Sequence, residues 1–391
     1  MFAAMRIDPD DVQLCLHDDV DSPPPRPLST PVVQTSLFAF PTLEALAEGL
    51  AEERSTHVYS RGQNPTVEAL ETKLARLERG AACKAFGSGM AAVSAVFLGL
   101  LQAGDHVVFV NQIYGPTLQL VRHLQGFGIT HDVVLDTDPA AVEARLRPET
   151  RLLWVESPGT MLFRLVDLRA LAQLARDRGI TTAIDNTWTT PLLQKPLTLG
   201  MDVVVHTATK YLGGHSDVVA GAIVTDEERM DRIFHRAFLL VGGILGPWEA
   251  WLLLRGLRTL PARLREHEAA ALEVARMLTR HPAVAAVHHP ALTGDPALIE
   301  RQMTGHTGTF SFVLRDGSWE AVCRVVDALE RFRIGVSWGG VESLALSPQR
   351  PWNARSLERH GLPQGLIRLS IGLEGADVLA ADLEQALARL D

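Results

Sequence analysis

Four short apolar runs restrict this chain most. Residues 106–110, 151–156, 180–185 and 202–206 read as strands, and Val107-Val108, Leu152-Leu153-Trp154-Val155 and Val203-Val204-Val205 within them are continuous rather than alternating. A strand apolar on both sides has to be covered on both sides, as in a parallel sheet with helices on each face. Residues 168–178 between two of these runs have helical spacing and stop at Gly179. The strand–helix–strand rhythm predicts a doubly wound α/β domain. A smaller C-terminal unit follows, with strands expected at 308–314 and 366–371 and an amphipathic last helix at 377–390. No internal repeat is evident.

The segment before the first regular helix reads as an arm, residues 1–63. Pro23, Pro24, Pro25 and Pro27 exclude a helix there and favour extended chain. Asn64-Pro65 then opens a helix with Val67, Leu70, Leu74 and Leu77 on one face and Gly80 as its stop. The expected units are thus 1–63, 64–258 and 259–391.

Charge and cysteine use narrow the function. With 37 basic and 46 acidic residues the formal charge is −9, and no basic block provides the footprint of a nucleic-acid partner. Cys15, Cys83 and Cys323 form no close pair, so a reducing compartment is expected. Asp8, Asp10 and Asp11 interrupt any secretory signal. The apolar stretch 237–254 contains Gly242, Gly243, Gly246, Pro247 and Glu249, and is expected to be two buried pieces joined by a turn rather than a membrane span. A cytoplasmic protein without a membrane partner is the expectation. Of the 37 basic residues only four are lysines, Lys73, Lys84, Lys195 and Lys210, so the setting of each carries information.

Ligands of open parallel sheets bind beyond the carboxyl ends of the strands. Phe86-Gly87-Ser88-Gly89-Met90 precedes a helical run, and is either a plain turn or a cradle of backbone N–H groups for phosphate. Tyr114 follows one strand, as a core tyrosine or a stacking platform. Asp185 ends another, as a cap or a functional carboxylate. Lys210 follows a third in His206-Thr207-Ala208-Thr209-Lys210-Tyr211, where desolvation would lower its pKa and sharpen its nucleophilicity. The segment 86–90 lacks the G-x-S-x-G spacing, no G-x-G-x-x-G follows a first strand and the chain has no H-E-x-x-H, which disfavours a serine hydrolase built on that turn, a nicotinamide dehydrogenase and a zinc protease. No metal is expected. A reactive lysine, an acid for a ring nitrogen, an aromatic platform and a phosphate cradle together match the needs of pyridoxal phosphate.

Thr207-Ala208-Thr209-Lys210-Tyr211-Leu212-Gly213-Gly214-His215-Ser216-Asp217 resembles the lysine signature of the cystathionine/methionine-metabolism family of fold-type I pyridoxal phosphate enzymes. Tyr59-Ser60-Arg61-Gly62, residues 337–344 (Ser-Trp-Gly-Gly-Val-Glu-Ser-Leu) and residues 367–374 (Ile-Arg-Leu-Ser-Ile-Gly-Leu-Glu) match further stations, and the resemblance runs from about residue 30 to the C-terminus. It implies a mostly parallel central sheet flanked by helices, with a smaller α+β C-terminal domain. It implies that Lys210 binds the cofactor covalently, that Asp185 faces the pyridine nitrogen and that Tyr114 stacks on the ring. Ser88, Gly89, Met90, Thr207 and Thr209 would hold the phosphate, and Tyr59 and Arg61 would reach the phosphate of the neighbouring subunit, giving an active dimer that pairs into a tetramer. Arg368 would clamp the substrate carboxylate, with Ser337, Trp338 and Tyr114 beside it. Serine is the commoner family residue at position 207; the threonine here adds a methyl group. Trp188, Trp338, Pro116, Val336 and residues 156–160 (Glu-Ser-Pro-Gly-Thr) resemble the bacterial cystathionine β-lyases, so α,β-elimination from cystathionine or another S-substituted cysteine is the first expectation. A γ-replacing transferase or a γ-lyase is the alternative.

Overall fold

The four apolar runs become four adjacent, mutually parallel strands. The computed structural model describes residues 5–18 and 25–390; Pro23 and Pro24 of the expected extended segment lie outside the described residues. The large sheet comprises β1 (Ala82–Phe86), β2 (His106–Val110), β3 (Thr130–Val134), β4 (Thr150–Glu156), β5 (Thr181–Asp185), β6 (Val203–His206) and β7 (Gly221–Thr225) in the order 1-7-6-5-4-2-3. Only β7 runs against its neighbours. The chain thus has the expected α/β class, with β4, β5 and β6 ending at one edge. Their middles are fully buried on both faces, as the continuous runs require.

Helix Pro65–Glu78 starts at Asn64, whose Oδ1 accepts the Thr66 N–H at 3.0 Å. Its expected apolar face, Val67, Leu70, Leu74 and Leu77, is buried. The stop differs from expectation in detail. Arg79, not Gly80, takes the left-handed conformation, at φ 60°. Gly80 is required for another reason: a Cβ there would collide with Val224 on β7 and come within 3.0 Å of Leu197.

The first 63 residues are not wholly extended. Helices Pro9–Leu16 and Leu43–Ala51 lie on either side of the proline cluster. The first is compatible with its proline because Pro9 sits at the helix start, where its missing N–H costs nothing. The second starts beyond the prolines at Thr42, whose hydroxyl accepts the Ala45 N–H at 3.1 Å. Three of the four lysines tie this region down. Lys195 pairs with Asp11 of the first helix, Lys73 reaches Asp18 at 2.6 Å, and Lys84 pairs with Glu71 at 2.9 Å close to the chain at Gly62.

The stretch 237–254 is broken as expected: a helical segment ends at Val241, Gly242 turns at φ 72°, and a new helix starts at Pro247. The two pieces are not wholly buried, since Leu240, Val241 and Trp248 are exposed on either side of the turn. No described helix is long and apolar enough to cross a membrane. The helix Pro247–Arg280 is 34 residues long and passes without interruption through the expected boundary at 258/259. Its first half packs on helix Pro65–Glu78 and its second on the small sheet, made of β8 (Val284–His288), β9 (Thr309–Leu314), β10 (Arg333–Ile334), β11 (Leu344–Leu346) and β12 (Leu366–Ser370) in the order 10-11-12-9-8.

Under the large sheet, Trp154 stacks on Phe97 with ring centroids 5.2 Å apart. Both are fully buried, and the Trp154 indole N–H has no acceptor among the described residues. Trp154→Ala is expected to cost about 3–5 kcal/mol through the cavity it leaves. Trp154→Phe, which also removes the unpaired donor, should cost less than about 1.5 kcal/mol. Denaturant midpoints of the two variants check this ordering.

Candidate active site

Between the edge of β4–β6 and the small sheet lies a cavity of about 750 Å³. It is lined by Ser88, Gly89, Met90, Tyr114, Asp185, Thr207, Thr209, Lys210, Ser337, Trp338 and Arg368, the sequence-predicted residues other than Tyr59 and Arg61. Those two are exposed and stand outside the cavity, the Arg61 guanidinium lying over the Tyr59 ring at 5.4 Å.

Lys210 follows β6 and donates from Nζ to Ser337 Oγ at 2.8 Å. Burial pushes its pKa down to about 8; the Arg368 charge adds to this and the Asp185 carboxylate opposes it. Its Nζ lies 5.7 Å from the centre of the Trp338 ring. Ser337 is held at φ 93°, a strained backbone for a residue with a Cβ. Arg368 on β12 donates to the Ser337 carbonyl at 2.9 Å, which secures that turn and leaves the remaining guanidinium donors for a ligand. Burial holds Arg368 down to about 10, still a cation at neutral pH.

Asp185 ends β5 beside Glu156 at the end of β4, its register partner. Burial raises both carboxyls, and Glu156 rises well above its ordinary value because the Asp185 charge adds to its burial. Asp185 rises less because four features oppose its burial: the hydroxyl and backbone N–H of Thr187, the latter at 3.0 Å, and the positive charges of His206 and Lys210. The hydrogen bonds from Thr187 and the nearby Lys210 thus favour the charged form of Asp185, features that Glu156 lacks. Glu156 also accepts the Tyr114 backbone N–H at 2.6 Å, which fixes the start of helix Gly115–Leu124 and sets the half-exposed Tyr114 ring at the cavity mouth.

Neither Glu156 nor Thr187 was singled out from sequence as a site residue. Glu156 is a carboxylate ending an apolar strand, the same signal that marked Asp185. Thr187 stands two residues after Asp185, the spacing of a local side-chain turn.

Helix Gly89–Leu100 is capped by Ser88, whose Oγ accepts the Ala91 N–H at 3.0 Å, so the Gly89 and Met90 N–H groups at its start need other acceptors. Thr207 crosses directly against Gly89, where any Cβ would collide with the Thr207 hydroxyl oxygen and lie 2.8 Å from its methyl carbon. The extra methyl at position 207 therefore packs on a glycine. The Thr207 N–H donates to Thr187 Oγ1 at 2.7 Å, linking the cradle to Asp185. Thr209 fits its expected role less directly: its hydroxyl donates to the Ala220 carbonyl at 3.1 Å and accepts the Ala220 N–H at 3.0 Å. A glycine-led cradle at a helix start, a lysine amine of lowered pKa and a carboxylate on the same cavity wall fit a phosphorylated pyridine aldehyde.

The chain belongs to the Cys/Met metabolism PLP-dependent enzyme family, whose model matches residues 14–388. It is 43% identical over 369 residues to L-methionine gamma-lyase of Pseudomonas deceptionensis, covering 92% of each chain. It is 39% identical over 371 residues to cystathionine gamma-lyase of Bacillus subtilis, covering 93% of this chain and 95% of the relative. To cystathionine gamma-synthase of Mycobacterium tuberculosis it is 40% identical over 366 residues, covering 92% of each. The crystal structure of metB from Corynebacterium glutamicum superimposes with a TM-score of 0.90 at 33% identity, covering 97% of this chain and 98% of that one. The fold is that of fold-type I pyridoxal phosphate enzymes, and the cofactor is pyridoxal phosphate. These relatives carry γ-lyase and γ-synthase names, which favours the γ alternative over the β-lyase expectation.

The role that the resemblance implies for Lys210, attack on the cofactor aldehyde, requires its unprotonated amine. With a pKa of about 8, roughly a tenth of it is unprotonated at pH 7. Cofactor capture by the apoenzyme should therefore accelerate about tenfold from pH 7 towards the alkaline plateau, with its midpoint near pH 8, as stopped-flow absorbance would record.

Proposed function

We propose that this protein is a carbon–sulfur lyase of the γ class. It converts an amino-acid thioether carrying sulfur on Cγ, together with water, into a thiol, 2-oxobutanoate and ammonia. The observation that carries the reading is the Lys210 amine, held by Ser337 between the Arg368 fork and the Asp185 carboxylate; the names of the relatives support the γ position.

Arg368 binds the substrate α-carboxylate with the donors not used on Ser337, and so presents Cα to Lys210. Lys210 Nζ takes the Cα proton, passes it on to the cofactor and then takes a proton from Cβ. The electron pair left at Cβ forms a Cβ–Cγ double bond as the Cγ–S bond breaks; a pKa of about 8 suits both transfers. Pyridoxal phosphate, when bound, supplies an electron-withdrawing ring that accommodates the charge left by that proton. Asp185, whose charged form Thr187 favours, would hold the proton of the ring nitrogen. The Tyr114 hydroxyl, at the cavity mouth, donates a proton to the departing sulfur. Gly89, Met90, Ser88, Thr207 and Thr209 hold the phosphate, with Tyr59 and Arg61 arriving from a second subunit, so the active unit is at least a dimer.

Trp338 favours a second reading. It packs on Tyr211 with ring centroids 5.5 Å apart beside Lys210, and is one of the residues that resemble β-lyases. Product identity separates the two. Purified protein given methionine or cystathionine should release 2-oxobutanoate. Pyruvate from cystathionine would instead establish β-elimination, and a new thioether formed from an activated homoserine plus a thiol, without keto acid, would establish γ-replacement.

Arg368→Lys replaces a planar fork with a point charge. Losing one charge-assisted hydrogen bond is expected to cost about 1.5–3 kcal/mol, roughly ten- to a hundredfold in kcat/KM. The bound-cofactor spectrum should stay unchanged. A changed spectrum with intact kcat/KM would move Arg368 from the substrate to the cofactor.

A further inference from the structure

Lys84 lies on β1, away from the cavity, and is only 3% exposed. Its Nζ donates to Glu71 Oε2 at 2.9 Å, to the Gly62 carbonyl at 3.2 Å and to Gln63 Oε1. The ammonium also faces the rings of Phe234 and Phe238 at 5.5 and 5.4 Å. Glu71, on helix Pro65–Glu78, uses its other oxygen to accept the Ala85 N–H at 2.9 Å. Helix, strand and the chain at 62–63 thus meet at one buried ammonium.

A buried ion pair contributes little net stability compared with apolar side chains of similar volume, because both ions lose their hydration. It can, however, hold several acceptors at one point, which apolar side chains cannot. Two of these acceptors belong to the turn 59–63, itself closed by the Gly62 and Gln63 N–H groups on the Tyr59 carbonyl at 2.9 and 3.3 Å. That turn displays Tyr59 and Arg61 outward.

We propose that Lys84 and Glu71 form a positioning pair that fixes the Tyr59–Arg61 turn for its contact with the cofactor phosphate of a neighbouring subunit. The proposal rests on the function proposed above for Tyr59 and Arg61. Lys84 and Glu71 touch no reacting atom; they act through the main chain at Gly62 and the side chain of Gln63.

The test compares the wild-type holoenzyme with a double variant, Glu71→Leu with Lys84→Met, which replaces the pair by apolar side chains of similar volume and leaves no charge unpaired. Gln63→Leu, which removes one acceptor and no charge, serves as the milder variant should the double variant fail to fold. Hydrogen exchange at residues 59–63 and cofactor retention on dialysis, followed by the absorbance of bound pyridoxal phosphate, are the two readouts. At an unchanged melting temperature, about tenfold faster exchange in the turn and about tenfold weaker retention are expected. Unchanged exchange in the turn would overturn the proposal. So would faster exchange with normal retention, provided that Arg61→Ala, measured alongside, does lower retention. Normal retention in Arg61→Ala would overturn the underlying cross-subunit reading instead.

Discussion

A carboxylate at the inner wall of a cavity is partly desolvated, and much of this site is arranged around Asp185 in a way that favours its charged form. Thr187 gives it two hydrogen bonds, and Thr187 itself accepts from the Thr207 backbone, so the residue after β5 and the residue after β6 are joined through one hydroxyl. On the far side, Glu78 accepts from His206 Nε2 at 2.6 Å and from Asn186 Nδ2 at 2.8 Å. One buried carboxylate thereby ties together the ends of the two strands that carry Asp185 and lead to Lys210. Register does the rest: parallel pairing sets Glu156 beside Asp185, where the Asp185 charge adds to burial in raising the Glu156 pKa.

The second sheet supplies what the first cannot. Lys210 and Asp185 lie on the large sheet, whereas Ser337, Trp338 and Arg368 come from the C-terminal unit. The 34-residue helix Pro247–Arg280 packs against both units, so the two halves of the site share one rigid element. Ser337 is the joint between them. Its hydroxyl meets Lys210, its carbonyl meets Arg368, and its unfavourable φ persists because both contacts and the turn through Gly339 hold it. Strain of this kind is kept where the surrounding structure over-determines the backbone.

Much of the site was legible in the sequence because it depends on local order. Apolar runs without alternation mark strands covered on both faces, and residues directly after such strands reach the ligand edge whatever the loops do; Lys210, Asp185 and Tyr114 were found this way. Glu156 was missed although it obeys the same rule, since its partnership with Asp185 depends on which strands lie side by side. The choice between β and γ chemistry is harder still. It turns on the walls of the cavity, and single positions such as Pro116, Val336 and Trp338 resemble one subfamily while the compared relatives bear the names of another.

The scarcity of lysine shows the division most clearly. Four lysines among 37 basic residues is a fact of sequence, and it directed attention to each of them. By itself the sequence determined the class of fold, the strand-end position of Lys210 and the motif around it, because periodicity and neighbouring residues act over a few positions. Only the tertiary structure decided that Lys73, Lys84 and Lys195 pair with Asp18, Glu71 and Asp11, while Lys210 faces a cavity with its pKa lowered. A charge takes its function from what lies within a few ångströms of it, and those neighbours are 55, 13, 184 and 127 residues distant along the chain. Chain closure over such separations is set by packing of the whole molecule, which no local pattern encodes.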